Sequence, residues 1–304
     1  LAKAISLPYI TSERIAFGIA PHINAAGRMA SADEAVTLFM TEDEKIQEEQ
    51  IKKLVAFNSQ RKEKQQKAFE QCMEQITGDE DFILLNMSDI HEGIGGIVAG
   101  KIKETVNRPA VILTPSDEGF LKGTGRSIPS VDIYALLKKN AHLFERFGGH
   151  RSACGFLMKE ENLPQLRYKM GEEMEQLKVA DPNLFRIPVE WELELTPGEI
   201  TLELAEELER LEPFGQGNPK PAFLMKNVMS EQLRFMGEEQ THVRFTARKD
   251  PGQATCVLFQ RAQEKKELLM SGQPIDVVGT VARQSWRGQE NVQFMVEEIL
   301  PWRE

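Results

Sequence analysis

Two short apolar runs on either side of a helical pattern constrain the fold of this chain more than any other feature. The runs are DFILLNM at 81–87 and PAVILTP at 109–115, and the segment between them, 90–107, reads as a helix with a glycine-rich start. Unbroken apolar runs of this length are typical of strands buried on both faces of a sheet. The alternation continues with a strand and turn at 120–130, an amphipathic helix at 131–147, a strand at about 154–158 and a helix at about 161–178. Alternating short strands and helices predict an α/β domain.

A long polar helix is predicted before this domain. Between residues 33 and 76 Glu, Lys and Gln dominate, Pro and Gly are absent, and apolar residues recur at helical spacing. A continuous helix of that length would reach about 60 Å. Its middle, SQRKEKQQK at 59–67, has no apolar face, which indicates a helix that crosses solvent between two bodies.

The pattern changes after DPNLF at 181–185, a candidate linker. An alternating segment, a short acidic helix and several short strands with polar turns follow, and this order predicts a small all-β barrel. In HVRFTARK, at 242–249, Val243, Phe245 and Ala247 alternate with polar residues. Those three side chains are therefore predicted to face the barrel core.

Composition excludes several classes of protein. At 304 residues and 41% apolar, the chain is long enough for two domains with their own cores. It contains no run of the roughly 18–20 apolar residues that a membrane span needs, and no secretory signal pattern. Three scattered cysteines with no CxxC spacing argue against a disulfide framework or a zinc site and favour a reducing cytoplasm.

The charge is unevenly distributed. The net charge of −10 argues mildly against a general nucleic-acid binder. Residues 190–212 hold nine Glu and one Arg, a net of −8, which leaves about −2 for the remainder. The acidic run is typical of a solvated helix face, and a local basic face elsewhere stays open.

The segment GTGRS at 123–127 is a candidate anion site. Glycine lets backbone N–H groups approach an anion, and the guanidinium of Arg126 can hold a phosphate through two parallel hydrogen bonds. Thr124 and Ser127 add hydroxyl donors. The alternative is an ordinary turn at the end of a strand.

The segment FGGHRSACG at 147–155 is a second candidate. Gly148 and Gly149 allow close backbone approach, and His150 offers a donor near neutral pH. A tight bend with a capping or buried histidine is the alternative.

Two further motifs carry weaker signals. HEGIGGIVAGK at 91–101 puts glycines at a helix start, where the dipole favours an anion, and His91 precedes that helix. The glycine spacing fits neither nucleotide-binding motif, so tight helix packing is the alternative. INAAGRM at 23–29 places Arg28 after a glycine. Five dispersed histidines, without an H-E-x-x-H motif, predict no metal site in this chain.

Basic and aromatic residues interleave along the predicted barrel strands, a pattern that suits single-stranded nucleic acid through stacking and backbone neutralisation. The candidate DNA-binding residues of the barrel are Arg244, Arg248, Arg283, Trp286 and Arg287.

Taken together, these motifs resemble the RecJ family of single-strand-specific DNA exonucleases in the DHH phosphoesterase superfamily. INAAGRM, HEGIGGIVAGKI, GTGRSIPS, FGGHRSACG and LEPFGQGNPKPAF follow one another in the order typical of that family. The resemblance implies an α/β DHH-associated domain plus an all-β OB-fold barrel, preceded by a long connecting helix. The implied domains are the tail of a DHH domain (1–32), the connecting helix (33–78), the DHH-associated domain (79–182) and the OB-fold (187–304).

The resemblance also implies roles for the motifs. Family members hold manganese or magnesium through an Asp-His-His domain. This sequence has no Asp-His-His, so the chain is expected to be a C-terminal portion that binds no metal and is inactive alone. By motif, Arg28, Thr124, Arg126 and Ser127 would hold the 5′-phosphate of single-stranded DNA. Gly148, Gly149 and His150 would lie beside the nucleotide near the scissile phosphate, with His91 in the same cleft, and His150 and Arg126 would support catalysis.

Further partners implied by the resemblance are a single-strand-binding protein and a helicase. Two other functions stay open, a phosphodiesterase of the same superfamily that acts on dinucleotides and a non-catalytic nucleic-acid-binding module. The barrel after residue 186 favours a strand-holding protein, because a dinucleotide enzyme does not need such a module.

Overall fold

The computed structural model describes residues 1–7, 9–116, 119–286 and 289–303, and of residues 285 and 286 only the backbone. The chain forms two compact units. The first comprises Leu1–Ile10 and Arg14–Ile187, and the second comprises Thr11–Glu13 and Pro188–Glu304.

Helices come first along the chain. Their bounds are α1 Ser12–Arg14, followed by a π-helical turn Ile15–Ile19, then α2 Ala20–Met29, α3 Asp33–Met40 and α4 Glu44–Met73. The single helix predicted over 33–78 is therefore two helices. The chain is extended at Thr41, and the Asp43 carboxylate caps α4 by accepting from the N–H groups of Lys45 (2.8 Å) and Ile46 (3.4 Å).

The middle of α4 is largely exposed: within 59–67 Arg61 and Gln65 are half-buried and the other seven residues are exposed, while buried residues lie on either side. Leu54 is buried with Ala26 of α2, and Ala68 and Cys72 are buried farther along. The positions between them on this face are polar, and Asn58 is only 2% exposed. The burial of Asn58 could not be predicted from apolar periodicity, because it depends on hydrogen bonds to other side chains.

A five-stranded sheet forms the centre of the first unit, in the order β1-β2-β3-β5-β4. The elements are β1 Ile83–Asn86, α5 Glu92–Val106, β2 Ala110–Pro115, β3 Phe120–Arg126, α6 Ile133–Lys138, β4 Phe144–His150, β5 Ala153–Lys159 and α7 Leu163–Ala180. Strands β1 and β2 are parallel and the other pairs are antiparallel.

Helices cover the two faces of this sheet, so β2 is buried on both. Ile112 of β2 packs in one core with Ile94 and Val98 of α5. Its neighbours Val111 and Leu113 pack in another core with residues of α6 and α7. The α/β fold class is thereby confirmed for this unit.

The helix predicted over 131–147 is wrong in its second half, where β4 begins at Phe144. Phe144 and Phe147 are spaced like residues on one helix face. The register between β4 and β5 shifts between Phe144 and Arg146, and this bulge brings both rings to the same face of the sheet. The GGH segment is thus the end of an edge strand rather than a bend after a helix.

The second unit is a closed five-stranded barrel. Its elements are β6 Leu193–Glu194, α8 Leu202–Glu209, β7 Phe223–Met236, β8 His242–Lys249, β9 Gly252–Leu258, α9 Ala262–Met270, β10 Ile275–Trp286 and β11 Gln289–Pro301. The strands pair in the order β7-β8-β9-β11-β10, and β10 pairs back with β7. Val243, Phe245 and Ala247 lie in the core, as alternation predicts, which confirms the barrel. No helix in the described residues is long and apolar enough to cross a membrane.

Candidate nucleic-acid interface

The first turn of α5 receives Arg28. The Arg28 guanidinium donates to the Gly93 carbonyl oxygen (Nη1–O 3.0 Å). A Cβ at Gly93 would lie 2.3 Å from the Arg28 carbonyl oxygen, so α2 and α5 meet backbone to backbone. His91 is the N-cap of α5, because its Nδ1 accepts from the Gly93 N–H (3.1 Å). Its Nε2 is the nitrogen left for a ligand.

Arg126 lies one helical turn farther along α5. A Cβ at Gly96 would lie 2.9 Å from Nη2 of Arg126 and 3.0 Å from Cγ2 of Thr124. Gly93 and Gly96 are three residues apart and share one helix face. The Arg28 backbone and the Arg126 guanidinium therefore lie against the same face of α5, and the Arg28 guanidinium binds the Gly93 carbonyl oxygen on the first turn.

The two arginines form a positive site without a carboxylate. Among the described residues neither has an acidic side chain within 4.0 Å, and Arg126 donates only to the carbonyl oxygen of Gly125 (Nη1–O 2.8 Å). Burial lowers the pKa of the Arg126 guanidinium from its ordinary value. The nearby Cys154 sulfur opposes this shift and the positive charge of Arg28 adds to it. A bound anion would offset both the burial of the Arg126 guanidinium and the repulsion from Arg28.

The sheet extends this site as an open, glycine-rich floor. Register places Arg126, Ala153 and His150 in one row across β3, β5 and β4. The next row holds Thr124, Gly155 and Gly148 on the same face. Gly155 and Gly148 are exposed, and a Cβ at Gly148 would meet nothing within 4 Å.

His150 closes this floor at the sheet edge and is exposed. Its Nδ1 lies 3.0 Å from the Ser152 hydroxyl, which orients the ring and leaves Nε2 for a ligand. Gly149 has φ +152°, and a Cβ there would lie 2.4 Å from the Ala153 carbonyl oxygen. Only glycine fits at this position.

Ser127 is engaged in the fold. Its hydroxyl is buried and donates to the Val131 carbonyl oxygen (2.7 Å), and its N–H donates to the Ser152 carbonyl oxygen. The Ser127 hydroxyl proton is therefore not available to a phosphate. The remaining candidate phosphate ligands are Arg28, Thr124 and Arg126. The Arg151 guanidinium likewise donates a hydrogen bond within the fold, to the Pro129 carbonyl oxygen (2.8 Å).

The sequence motifs missed two basic residues on this face. Lys122 and Arg146 share the third row, on either side of Leu157. Lys122 pairs with Glu92 (2.8 Å), whereas Arg146 is exposed and has no carboxylate within 4.0 Å among the described residues. Strand alternation puts Arg146 on the same face as Gly148, and the helix predicted over 131–147 hid this relation.

On the barrel, the basic residues divide into two kinds. Arg234 and Arg244 are cross-strand neighbours on β7 and β8, both exposed and neither ion-paired among the described residues. They line a polar cleft of about 440 Å³ together with Gln232, Thr246 and Gln253. Like charges directly opposite one another are unfavourable without an anion between them.

The other predicted barrel residues differ. Arg283 is held by Glu209 (2.6 Å) and Glu290 (3.3 Å). Arg248 lies 3.7 Å from Glu231 and 3.6 Å from Asp250. Arg287 and the side chain of Trp286 lie outside the described residues.

The side chains do not form a metal centre. Across the part of the chain that the structure describes, no group of three or more His, Cys, Asp or Glu residues is placed to hold a metal ion. The donor set here, arginines with hydroxyl, amide and imidazole groups, suits anions rather than cations.

Comparison with known proteins agrees with this architecture. A DHHA1 domain model matches residues 79–176, and a RecJ OB domain model matches residues 191–298. The "Single-stranded-DNA-specific exonuclease RecJ" of Bacillus subtilis is 33% identical over 94% of this chain and 36% of its own length. The protein of that name from Thermus thermophilus is 29% identical over 90% of this chain and 38% of its own.

Solved structures give the same result. The structure "RecJ in complex with Mn2+" from Thermus thermophilus matches all of this chain and 44% of its own, with a TM-score of 0.83 and 26% identity. The fold and motifs thus define a DHHA1 domain followed by an OB domain. The chain belongs, over these two domains, to the RecJ family. It spans little more than a third of the length of these curated relatives.

Proposed function

We propose that this chain is the strand-holding portion of a single-strand-specific 5′→3′ DNA exonuclease that acts in DNA repair and recombination. Arg28 and Arg126 hold the 5′-phosphate, with Thr124 as a hydroxyl donor. The observation that carries the proposal is two arginines without carboxylate partners, on one helix face beside an open glycine floor. A guanidinium in this setting binds phosphate oxygens in pairs.

The glycine floor receives the nucleotide that follows the phosphate. Gly148 and Gly155 leave room for a sugar and base to lie directly on the backbone. His150 donates from Nε2 to the phosphate near the bond that is cut, and Arg126 stabilises negative charge there. These two residues support catalysis, and His91 contributes a contact at the start of α5.

Hydrolysis itself is assigned to residues outside this chain, so the fragment alone is inactive. RecJ structures from Thermus thermophilus are described in complex with Mn2+ and with Mg2+. Either ion would supply an activated water in the whole protein. The described residues do not fit such an ion, and the role of this chain is to position the phosphate.

The barrel holds the trailing single strand. Arg234 and Arg244 contact its backbone, while the ion pairs of Arg248 and Arg283 must open before those residues can contribute. Trp286 and Arg287 belong to the same proposal. We assign the end site to a domain at 79–182 and strand holding to a domain at 187–304, after an N-terminal segment (1–32) and a helical connection (33–78).

The family resemblance alone supports three further parts of the proposal. They are a cytoplasmic location, a single-strand-binding protein as partner and a helicase as partner. A dinucleotide phosphodiesterase is less well supported, since the RecJ OB domain has no role in it.

Fluorescence anisotropy tests the proposal with a labelled single strand and a matched blunt duplex of the same sequence. We expect the chain to bind the single strand more tightly and to lose affinity as salt rises, because arginines release counterions from the backbone. Arg244→Gln should weaken single-strand binding, with Lys62→Gln, an exposed position on α4, as the matched charge control. Equal affinity for strand and duplex would refute strand specificity.

A further inference from the structure

A third arginine, Arg61 of α4, is linked through Asn58 to α2, the helix that carries Arg28. The Arg61 guanidinium donates from Nε to Oδ1 of Asn58 (3.1 Å) and from Nη1 to Oε1 of Gln65 (3.0 Å). Its Nη2 has no hydrogen-bond partner among the described residues. Asn58 and Gln65 are neutral, so Arg61 carries a full charge with no carboxylate within 4.0 Å there.

Asn58, which accepts a hydrogen bond from Arg61, is in turn hydrogen-bonded to His22. The Asn58 amide nitrogen lies 3.0 Å from Nε2 of His22, and Nδ1 of His22 lies 2.7 Å from the Gly18 carbonyl oxygen. The ends of this chain fix its direction, because a carbonyl only accepts and a guanidinium only donates. His22 must therefore carry its proton on Nδ1, and Asn58 must present its oxygen to Arg61.

Asn58 is 2% exposed, and its side chain has no other hydrogen-bond partner among the described residues. Burying an amide is unfavourable unless it is hydrogen-bonded, and here both the nitrogen and the oxygen of Asn58 have a partner. The hydrogen bonds of Asn58 and Gln65 orient the Arg61 guanidinium.

Arg61 is also within electrostatic reach of Arg28. Burial lowers the pKa of the Arg61 guanidinium, and the positive charge of Arg28 lowers it further. Arg28 acts in the same direction on Arg126. The charge of Arg28, on α2, thus acts on both Arg61 of α4 and Arg126 of β3.

We infer that Arg61 is the third arginine of the phosphate site and that Asn58 and His22 are positioning residues that aim it. This inference rests on the proposed function and extends its contact set. Arg61 comes from α4 and Arg126 from β3, so a terminal phosphate with three free oxygens would accept hydrogen bonds from two separate elements of the fold. A 5′-hydroxyl end offers no such group.

The test compares labelled single strands that end in a 5′-phosphate or a 5′-hydroxyl, with the same sequence, in anisotropy titrations over a range of salt. For Arg61→Gln we expect the preference for the 5′-phosphate to fall about tenfold, as for loss of a charged hydrogen bond. The slope of log affinity against log salt should fall by about 0.7 for the phosphorylated strand. Lys62→Gln removes the same charge from an exposed position of α4 and should change neither.

Asn58→Leu tests the positioning role. It keeps the charge of Arg61, so binding of the 5′-hydroxyl strand should not change, while the preference for the 5′-phosphate falls. Thermal melting of each variant identifies loss of fold, and Arg61→Lys, at a half-exposed position, serves as a second variant that keeps the charge but not the planar fork.

Each outcome decides the inference. If Arg61→Gln matches Lys62→Gln while Arg126→Gln loses the preference, Arg61 is no part of the site and the proposed function stands. If folded Asn58→Leu matches the wild type while Arg61→Gln does not, the positioning role is refuted. If the wild type shows no preference, or Arg126→Gln keeps it, the proposed phosphate site fails and this inference fails with it.

Discussion

Replacing Gly96 by alanine should impair the phosphate site and leave the stability of the fold nearly unchanged. The added Cβ would lie 2.9 Å from Nη2 of Arg126 and 3.0 Å from Cγ2 of Thr124. The first of these atoms is the far end of a flexible side chain, so the guanidinium moves aside. The second is a side-chain methyl group, which needs to give by only a few tenths of an ångström.

The two energetic effects on stability nearly cancel. Alanine in place of a helix-interior glycine stabilises by about 0.8–1.0 kcal/mol. Displacing Arg126 from its rotamer costs about 0.5–1.5 kcal/mol. We therefore expect a free energy of unfolding within about 1 kcal/mol of the wild type.

Binding, by contrast, should change strongly. A displaced guanidinium loses charged hydrogen bonds to phosphate, about 1.5–3 kcal/mol, or roughly 10- to 150-fold in affinity for a 5′-phosphorylated strand. Urea denaturation and anisotropy measure the two quantities on one preparation. Wild-type affinity in a folded Gly96→Ala variant would refute the placement of Arg126 in the site.

Two neighbouring glycines provide the controls. A Cβ at Gly100 would lie 4.0 Å from Cγ of Arg126, an ordinary contact, so Gly100→Ala should stabilise slightly and leave binding unchanged. A Cβ at Gly93 would lie 2.3 Å from a backbone oxygen, which cannot move aside, so Gly93→Ala should destabilise the unit. If Gly96→Ala behaved like Gly93→Ala, the argument from a flexible guanidinium would be wrong.

Three further predictions concern the cores and the barrel. Phe245→Ala should destabilise the barrel by about 3–5 kcal/mol in urea denaturation, since this ring is 1% exposed. Arg244→Gln should weaken single-strand binding more than Arg283→Gln in anisotropy titrations, because carboxylates already neutralise Arg283. Burial raises the pKa of the Cys154 thiol to about 12, so iodoacetamide at pH 8 should label it only after unfolding.

Each of these has a result that contradicts it. A loss below about 1 kcal/mol for Phe245→Ala would mean that the barrel core lies elsewhere. A larger loss of binding for Arg283→Gln would show that its ion pairs open on binding. Rapid labelling of native Cys154 would mean that the layer between β5 and α6 is open to solvent.

The strand and barrel patterns were predictable because both depend on local periodicity. The run PAVILTP lies on β2 with alternate residues in two cores, and HVRFTARK turns Phe245 inward. The helix break at Thr41 was also present in the sequence, in the capping residue Asp43. It was missed because the high helix propensity on either side outweighed one cap.

The site was only partly predictable. Arg28, Arg126 and His150 stand beside glycines, and those glycines drew attention to them. Arg61 stands in a polar run whose partial burial follows from tertiary contacts, which leave no local signal. Arg146 was missed because the helix predicted over 131–147 concealed the strand on which it alternates with Gly148 and His150.

The measurement that tests the account most directly is photo-cross-linking of a single strand with a photoreactive base at its 5′-phosphorylated end. Mass spectrometry of the products maps the contact. The account predicts cross-links in the peptides of β3, β4 and β5, between residues 120 and 159, and their loss in Arg126→Gln. Cross-links from the 5′ end that lie only in the barrel, unchanged by Arg126→Gln, would contradict the claim that this face holds the end of the strand.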